Sequence, residues 1–197
     1  LNSYRDCPEV REAFRALREK NATIVSLFGT GFIGDKGFSM RTMSDLLGMN
    51  VRPATPGSLQ LRMADGTICG ADYPMDTRFT VVDNSAKTLA VYADDGPPAV
   101  FQKGNTFFYG GACLDEKLIR EIARSIGIHI YLETGDNFYA GANVVSIHAK
   151  YPGEKTIRLP KKFAAVVDAF SGETMAENAD QFTIEMKATD SRVFLLK

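Results

Sequence analysis

Neither sign of charge dominates this sequence, which has 23 Lys and Arg residues against 24 Asp and Glu residues. Without a basic surplus, we expect binding neither to nucleic acid nor to a membrane surface. Long apolar runs are also missing, so no segment predicts a membrane-spanning helix. Hydrophobic residues still make up 45% of the 197 positions, which is enough to build a core at this length.

Cysteine and histidine are scarce: the cysteines are Cys7, Cys69 and Cys113, and the histidines are His129 and His148. The cysteines form no CxxC pair and no cluster with metal-ligand spacing, so we expect three buried thiols. Each histidine lies between apolar neighbours in a strand-like run, which favours a structural role over a catalytic one. We therefore predict no catalytic residue, no metal ligand and no cofactor.

Tryptophan is absent, although sugar-binding modules usually stack their ligands on exposed aromatic side chains, Trp above all. The aromatic residues that could stack on a sugar in its place are Phe138, Tyr139 and Tyr151. Alternating aromatics in short strands belong more often to a core. A sugar-binding module remains an alternative that requires an exposed aromatic row on the second half of the chain.

Three segments have helical periodicity and recognisable ends. Their diagnostic residues are Val10, Phe14 and Leu17 in the first helix, Ser39 and Gly48 at the ends of the second, and Asp115 and Gly127 at the ends of the third. We expect Phe28, Leu47 and Ile122 in the core. A hairpin turning at Asp65-Gly66 is predicted around residues 59–70.

Past Gly127 the sequence predicts only short strands, at the spacing of an antiparallel sandwich. The predicted strands are Ile128–Leu132, Phe138–Tyr139, Val144–His148, Thr156–Leu159, Ala164–Phe170, Phe182–Met186 and Val193–Leu196. The fold class is therefore α/β followed by all-β, with an α/β domain over residues 1–127 and a small antiparallel β-sandwich over residues 128–197.

The segment Gly29–Gly34 matches GxGxxG directly after an apolar strand, the pattern of a dinucleotide site. A dinucleotide site needs a helix that opens at the third glycine, but residues 35–38 separate Gly34 from the helix cap Ser39. No acidic residue lies in residues 49–54, where one would bind the ribose. We interpret the glycines as a strand-end turn that needs positive φ angles.

Two further motifs have catalytic and structural interpretations. Tyr109–Asp115 resembles a nucleophile elbow centred on Cys113, but Asp115 replaces the final glycine and no histidine is clearly placed as its base. Glu133 and Asp136 could form a carboxylate pair of the kind used in glycoside hydrolysis. Their Thr-Gly-Asp context predicts a solvated turn instead.

Several blocks of the second half together resemble the C-terminal region of large bacterial glycoside hydrolases of the β-galactosidase type. These blocks are 120–131, 135–140, 147–149, 156–162 and 167–172. The first half, at 27–33, 37–39 and 46–48, is similar to the domain that follows the catalytic barrel in that family. The resemblance covers most of the chain.

The resemblance implies a flavodoxin-like (class I glutamine amidotransferase-like) domain, often used for trimerisation, followed by a small antiparallel β domain. Hairpin 59–70 would be an insertion in the first of these. Both catalytic carboxylates of the family lie in a TIM barrel, which would be the partner of this chain, and we expect a homo-oligomer. The chain begins at Leu1 without Met, so we expect a fragment of a longer protein, in a compartment that the sequence leaves open.

The sequence therefore predicts a non-catalytic accessory fragment that serves oligomer assembly and supports the barrel. The alternative is a small-molecule-binding or thiol-hydrolase α/β domain that uses the Gly29–Gly34 turn, with Gly31 and Cys113 lining its site.

Overall fold

The computed structural model describes residues 3–94, 96–112 and 114–197. The chain divides into two compact units, an N-terminal unit of residues 1–119 and a C-terminal unit, Arg120–Lys197. The domain boundary predicted after Gly127 lies farther along the chain and stays a prediction. The described helices are α1 (Pro8–Glu19), α2 (Met40–Leu47) and α3 (Glu116–Ser125).

The described strands of the N-terminal unit are short. They are β1 (Ile24–Leu27), β2 (Ile33–Gly34), β3 (Gly37–Phe38), β4 (Val51–Ala54), β5 (Gly57–Ser58), β6 (Leu61–Met63), β7 (Ile68–Cys69), β8 (Pro74–Met75), β9 (Arg78–Val81), β10 (Lys87–Tyr92), β11 (Pro98–Lys103) and β12 (Thr106–Tyr109). Those of the C-terminal unit are β13 (Asn137–Ala140), β14 (Val144–His148), β15 (Gly153–Asp168), β16 (Thr174–Met186) and β17 (Ser191–Leu196).

The main sheet of the N-terminal unit has six strands in the order β1-β12-β11-β10-β6-β7. Only β1 and β12 run parallel in it, with Ile24 opposite Thr106, and the other neighbours are antiparallel. The unit is therefore mixed α and β and rich in strands. The flavodoxin-like arrangement is not confirmed, because the sheet of that fold is parallel.

The predicted hairpin is an edge of this main sheet. β6 and β7 pair antiparallel, with Leu61 opposite Cys69, and Gly66 between them has a φ of 83°. The predicted turn at Asp65-Gly66 is thus confirmed. The hairpin extends the sheet, since β6 also pairs with β10.

Local signals placed the helices correctly. Phe14 of α1 is buried, as its spacing from Val10 and Leu17 predicts. The Ser39 side chain accepts a hydrogen bond from the Thr42 N–H, and Gly48 ends α2 with a φ of 68°. Asp115 accepts from the N–H of Lys117 at the start of α3.

A core of apolar side chains lies between α1, α2 and the strands of the N-terminal unit. Its buried members are Phe14, Ile24, Met43, Leu46, Leu47, Met49, Val51, Phe79, Val81, Phe101 and Phe108. Leu47 and Ile122, both predicted to be buried, are 2% and 5% exposed. Phe28 packs partly buried against this core, with its ring 5.0 Å from that of Phe79.

The C-terminal unit is all-β after α3. Its five strands form one antiparallel sheet in the order β13-β14-β17-β15-β16. The predicted sandwich of two facing sheets is not confirmed. The core of the unit consists of Leu132, Val145, Ile147, Ala149, Ile157, Leu159, Phe163, Val166, Phe182, Ile184, Met186, Phe194 and Leu196.

Three strand predictions in this unit were wrong in detail. Thr156–Leu159 and Ala164–Phe170 are joined, because β15 continues through Pro160 with an irregular register between Arg158 and Phe163. Ile128–Leu132 is not a strand. Its apolar residues give the pattern of a strand, but Ile128 is 56% exposed and the segment follows the turn that ends α3.

Candidate functional site

The glycine turn lies at the carboxyl end of β1. In α/β proteins, ligands bind at the carboxyl ends of the parallel strands. Most of the backbone N–H groups of this turn are already bonded within the unit. Thr30 N donates to Leu27 O, Phe32 N to Gly29 O, and Gly31 N to Ser3 O at 2.7 Å. A phosphate-binding loop needs several such groups directed at the ligand, so this segment is not assembled as one.

The space around these glycines is filled by side chains of the same unit. A Cβ on Gly29 would lie 2.8 Å from the Tyr4 ring, and one on Gly31 would lie 2.9 Å from Leu46 Cδ2. Gly31 has a φ of 75°, and its carbonyl accepts from the Thr42 hydroxyl at 2.6 Å. The glycines thus fit a close-packed turn between β1 and the small β2–β3 pair that precedes α2.

The second sequence motif begins at the end of β12. Cys113 lies outside the described residues. The residues before it line an apolar cavity of ≈ 260 Å³, which is formed by Leu59, Ala71, Tyr73, Tyr109, Gly111 and Ala112. This cavity can hold a small apolar group, and the titratable groups in its described lining are the phenols of Tyr73 and Tyr109.

The other cysteines were predicted as buried thiols. Cys69 is 5% exposed, and its burial together with the charge of Asp115 raises the pKa of the thiol to about 11. Because the thiolate is the nucleophile, this pKa predicts slow reaction of Cys69 near neutral pH. Cys7 is half-buried beside the start of α1.

Both histidines have hydrogen-bonding partners in the C-terminal unit. His129 Nε2 lies 3.0 Å from the carbonyl of Arg158, and the His129 ring meets Tyr131 edge to face. His148 Nδ1 lies 2.8 Å from Ser191 Oγ across two paired strands. These contacts agree with structural roles.

The two carboxylates are engaged by cations rather than directed at a common cleft. Glu133 forms ion pairs with Arg124 and Arg158 at the surface. Asp136 is fully buried and 2.8 Å from the Lys155 ammonium. Burial alone would raise the pKa of Asp136, but Lys155, the Thr134 hydroxyl and the Lys150 N–H hold it below its usual value.

The most connected polar side chain of the N-terminal unit is Arg78, which sequence reasoning missed. Arg78 is 1% exposed. Its guanidinium donates to the carbonyl of Thr55 at 2.6 Å and to both carboxylate oxygens of Asp94 at 2.9 Å. It also stacks over the Tyr92 ring at 4.3 Å.

Close backbone approach completes the Arg78 cluster. A Cβ on Gly57 would lie 2.2 Å from Asp94 Oδ2 and 2.8 Å from the guanidinium carbon, and Gly96 is similarly crowded. No ligand fits into this space, so Arg78 fixes the 55–58 loop against the end of β10. The local sequence gives no signal for this cluster, because Gly57, Arg78 and Asp94 lie far apart in the chain.

Within the described ranges, no group of three or more His, Cys, Asp or Glu side chains could hold a metal ion. None of the helices described is both long and apolar enough to cross a membrane. The residues singled out from the sequence are therefore held in separate structural contacts wherever they are described.

No protein-family model and no curated protein matches this sequence. The fold does match solved structures. Over 98% of its length, the chain is similar to 32% of the β-galactosidase from Bacillus circulans sp. alkalophilus, with a TM-score of 0.60 and 15% identity. It is similar to 31% of Gan42B, a GH42 β-galactosidase from G. stearothermophilus, with a TM-score of 0.59 and 16% identity.

A third structure, the β-galactosidase from Rahnella sp. R3, gives a TM-score of 0.59 at 13% identity and is covered over 31% of its chain. The chain therefore spans about a third of the length of these enzymes. At such identities the similarity is one of fold, and it is consistent with a β-galactosidase-related domain.

Proposed function

We propose that this chain is a non-catalytic accessory region of a bacterial glycoside hydrolase of the β-galactosidase type. It serves assembly of the oligomer and supports a catalytic TIM barrel located elsewhere in the parent chain. The observation that carries the proposal is the fold match, which includes 98% of this chain but only 32% of the β-galactosidase.

The site geometry supports a non-catalytic role. Glycoside hydrolysis needs two carboxyl groups held across a sugar, one of them able to act as an acid. Glu133 and Asp136 are instead bound to arginine and lysine side chains. In this proposal residues 1–127 are the amidotransferase-like trimerisation domain and residues 128–197 the β domain.

An exposed aromatic knob is available for assembly on the N-terminal unit. Phe38 is 77% exposed and stacks on Phe32 with ring centroids 4.8 Å apart and planes 5° from parallel. Ile33, its partner in the β2–β3 pair, is 40% exposed. We assign this knob to the contact with a second copy of the chain.

The test is the native mass of the chain by light scattering over a range of concentrations. We expect a closed homotrimer, and Phe38→Ser should weaken association about tenfold or more, since burying a Phe contributes about 1.5–3 kcal/mol. Phe170→Ser is the matched control, because Phe170 is 78% exposed on the other unit. A monomer at every concentration, or equal loss in both variants, would contradict the assembly role.

The second candidate is the small-molecule or thiol-hydrolase function, which only the apolar cavity lined by Gly111 and Ala112 favours. It requires fast reaction of a thiol with a disulfide reagent at neutral pH. Since the Cys69 pKa is about 11, such a reaction in a Cys7→Ser variant would identify Cys113. Slow reaction would leave this candidate without support.

A further inference from the structure

One half of the solvent-facing side of the C-terminal sheet belongs to β13, β14 and β17. The outward side chains of these strands lie in three rows, of which one holds the apolar residues Val144 and Leu195. The other two rows form what we call the neutral face: Asn137, His148 and Ser191, then Tyr139, Ser146 and Val193. Opposed side chains in such rows have Cβ atoms about 4.5–5.5 Å apart. The two rows therefore form a continuous surface.

Tyr139 is the one aromatic side chain among the six residues of the neutral face, which therefore has a single stacking position rather than an aromatic row. It is 72% exposed and lies on the edge strand of the sheet. Its neighbour Phe138 points the other way and packs against the core, as strand alternation requires. Tyr139 therefore presents an aromatic ring to solvent next to polar groups, an arrangement that suits a ligand with one apolar side and a polar rim.

The polar groups of the first row are held in position. The contact of 2.8 Å between His148 Nδ1 and Ser191 Oγ orients the imidazole and so fixes the direction of its second nitrogen, Nε2. The Asn137 amide, opposite His148, offers both donors and an acceptor. Together these groups can both donate to and accept from hydroxyl groups.

The other half of the same sheet is different in charge. On β15 and β16, Glu154 lies opposite Glu185 and Arg158 opposite Gln181, all exposed. Such charges are ordinary for a solvated sheet. None of the six residues of the neutral face is an acid, a lysine or an arginine, so apart from the imidazole of His148 this face lacks the counter-charge that a phosphate, a nucleic acid or an acidic peptide would need.

We propose that the neutral face binds a neutral saccharide. The apolar C–H side of one sugar ring lies on Tyr139, and its hydroxyl groups hydrogen-bond to Asn137, His148 and Ser146. Only the choice of galactose-containing probes rests on the proposed function.

The experiment is affinity electrophoresis of the 197-residue chain in native gels containing soluble β-1,4-galactan, with xylan and cellulose derivatives in parallel gels. Galacto-oligosaccharides are then titrated by NMR. We expect Tyr139→Ala to weaken binding about tenfold, the order of an aromatic contact plus its buried area. Tyr139→Phe should retain most of the affinity, and His148→Ala should lose several-fold.

Tyr151→Ala is the control, because Tyr151 is 60% exposed but lies outside the two rows. Binding that persists in Tyr139→Ala, or no retardation by any polysaccharide, would overturn the proposal. So would a change in native mass in Tyr139→Ala, which would assign the face to protein contact. The Phe38→Ser variant separates the two proposals, because it should alter native mass and leave saccharide binding unchanged.

Discussion

The two units differ in how regular their strands are. In the N-terminal unit, no described strand exceeds the six residues of β10 and β11. In the C-terminal unit, β15 has 16 residues and β16 has 13. Short strands leave more of the backbone in loops. In paired strands the backbone N–H and C=O groups bond to each other, whereas those of a buried loop need other partners.

Each unit meets this demand differently. The N-terminal unit buries a cation, Arg78, whose guanidinium donates to the carbonyls of Thr55 and Ser58. The C-terminal unit relies on the alternation of inward apolar side chains along long strands, such as Ile157 and Leu159 on β15. The comparison teaches that both units have an apolar core, and that the short-stranded unit in addition uses a buried cation to bind the carbonyls of a loop.

The largest effect should come from the core of the long-stranded unit. Phe194 is 0% exposed and meets Phe182 edge to face at 4.9 Å. Phe194→Ala should lower the free energy of unfolding by about 3–5 kcal/mol, since it removes buried contacts and leaves a cavity. Urea unfolding followed by circular dichroism measures this.

Leu195→Ala is the control for Phe194→Ala. Leu195 is the next residue, faces outward and is 41% exposed, so the loss should stay below about 1 kcal/mol. Equal losses of unfolding free energy in the two variants would show that the alternation of inward and outward side chains on β17 does not control stability.

The next effect tests the polar support of the short-stranded unit. Arg78→Met should cost about 3 kcal/mol, because the carbonyls of the 55–58 loop lose their donor and Asp94 loses its cation. Thermal unfolding with hydrogen exchange of residues 55–58 measures the change. Arg52→Ala, on the exposed face of β4, should be nearly neutral, and a similar loss there would contradict the special role of Arg78.

The smallest effect should appear only in acid. Asp168 is 2% exposed, and the N–H of Ser171, the Arg192 guanidinium and the N–H of Phe170 lower its pKa to about 2. The unfolded pKa is higher, about 3.9, so the ionised form stabilises the folded state. This contribution is complete above about pH 4 and is lost as the pH falls towards about 2.

The Asp168 contribution is measured as the melting temperature between pH 5 and pH 2. Asp168→Asn should melt lower than the native chain at pH 5 and converge with it in acid. A difference in melting temperature that stays constant from pH 5 to pH 2 would mean that the carboxylate charge does not stabilise the contact between β15 and β17.

Much of the local structure was predictable from the sequence. The period of Val10, Phe14 and Leu17, the cap Ser39 and the turn Asp65-Gly66 depend on residues a few positions apart, and each was confirmed. The interpretation of Gly29–Gly34 as a turn also followed from local spacing, because the late helix start was visible.

Other features depend on distant residues and were not predictable. Arg78 is one of 23 cations, and nothing in its neighbours indicates that Asp94 and Tyr92 meet it. Tyr139 was expected in a core, since the alternation of Phe138 and Tyr139 does not say which side of the sheet is covered. The sequence predicted two strands where the structure has the single strand β15, because a proline such as Pro160 usually indicates the end of a strand.

The sequence by itself determined the helices, their ends, the tight turns and the absence of metal-ligand spacing, because these depend on neighbouring residues and short-range geometry. The tertiary structure decided which strands pair, that β1 runs parallel to β12 while the rest of that sheet is antiparallel, and which polar side chains are buried. Those outcomes follow from packing between distant segments such as β1 and β12, in which Ile24 lies opposite Thr106. No local pattern specifies such a pairing, since each strand could bond with several partners at similar cost.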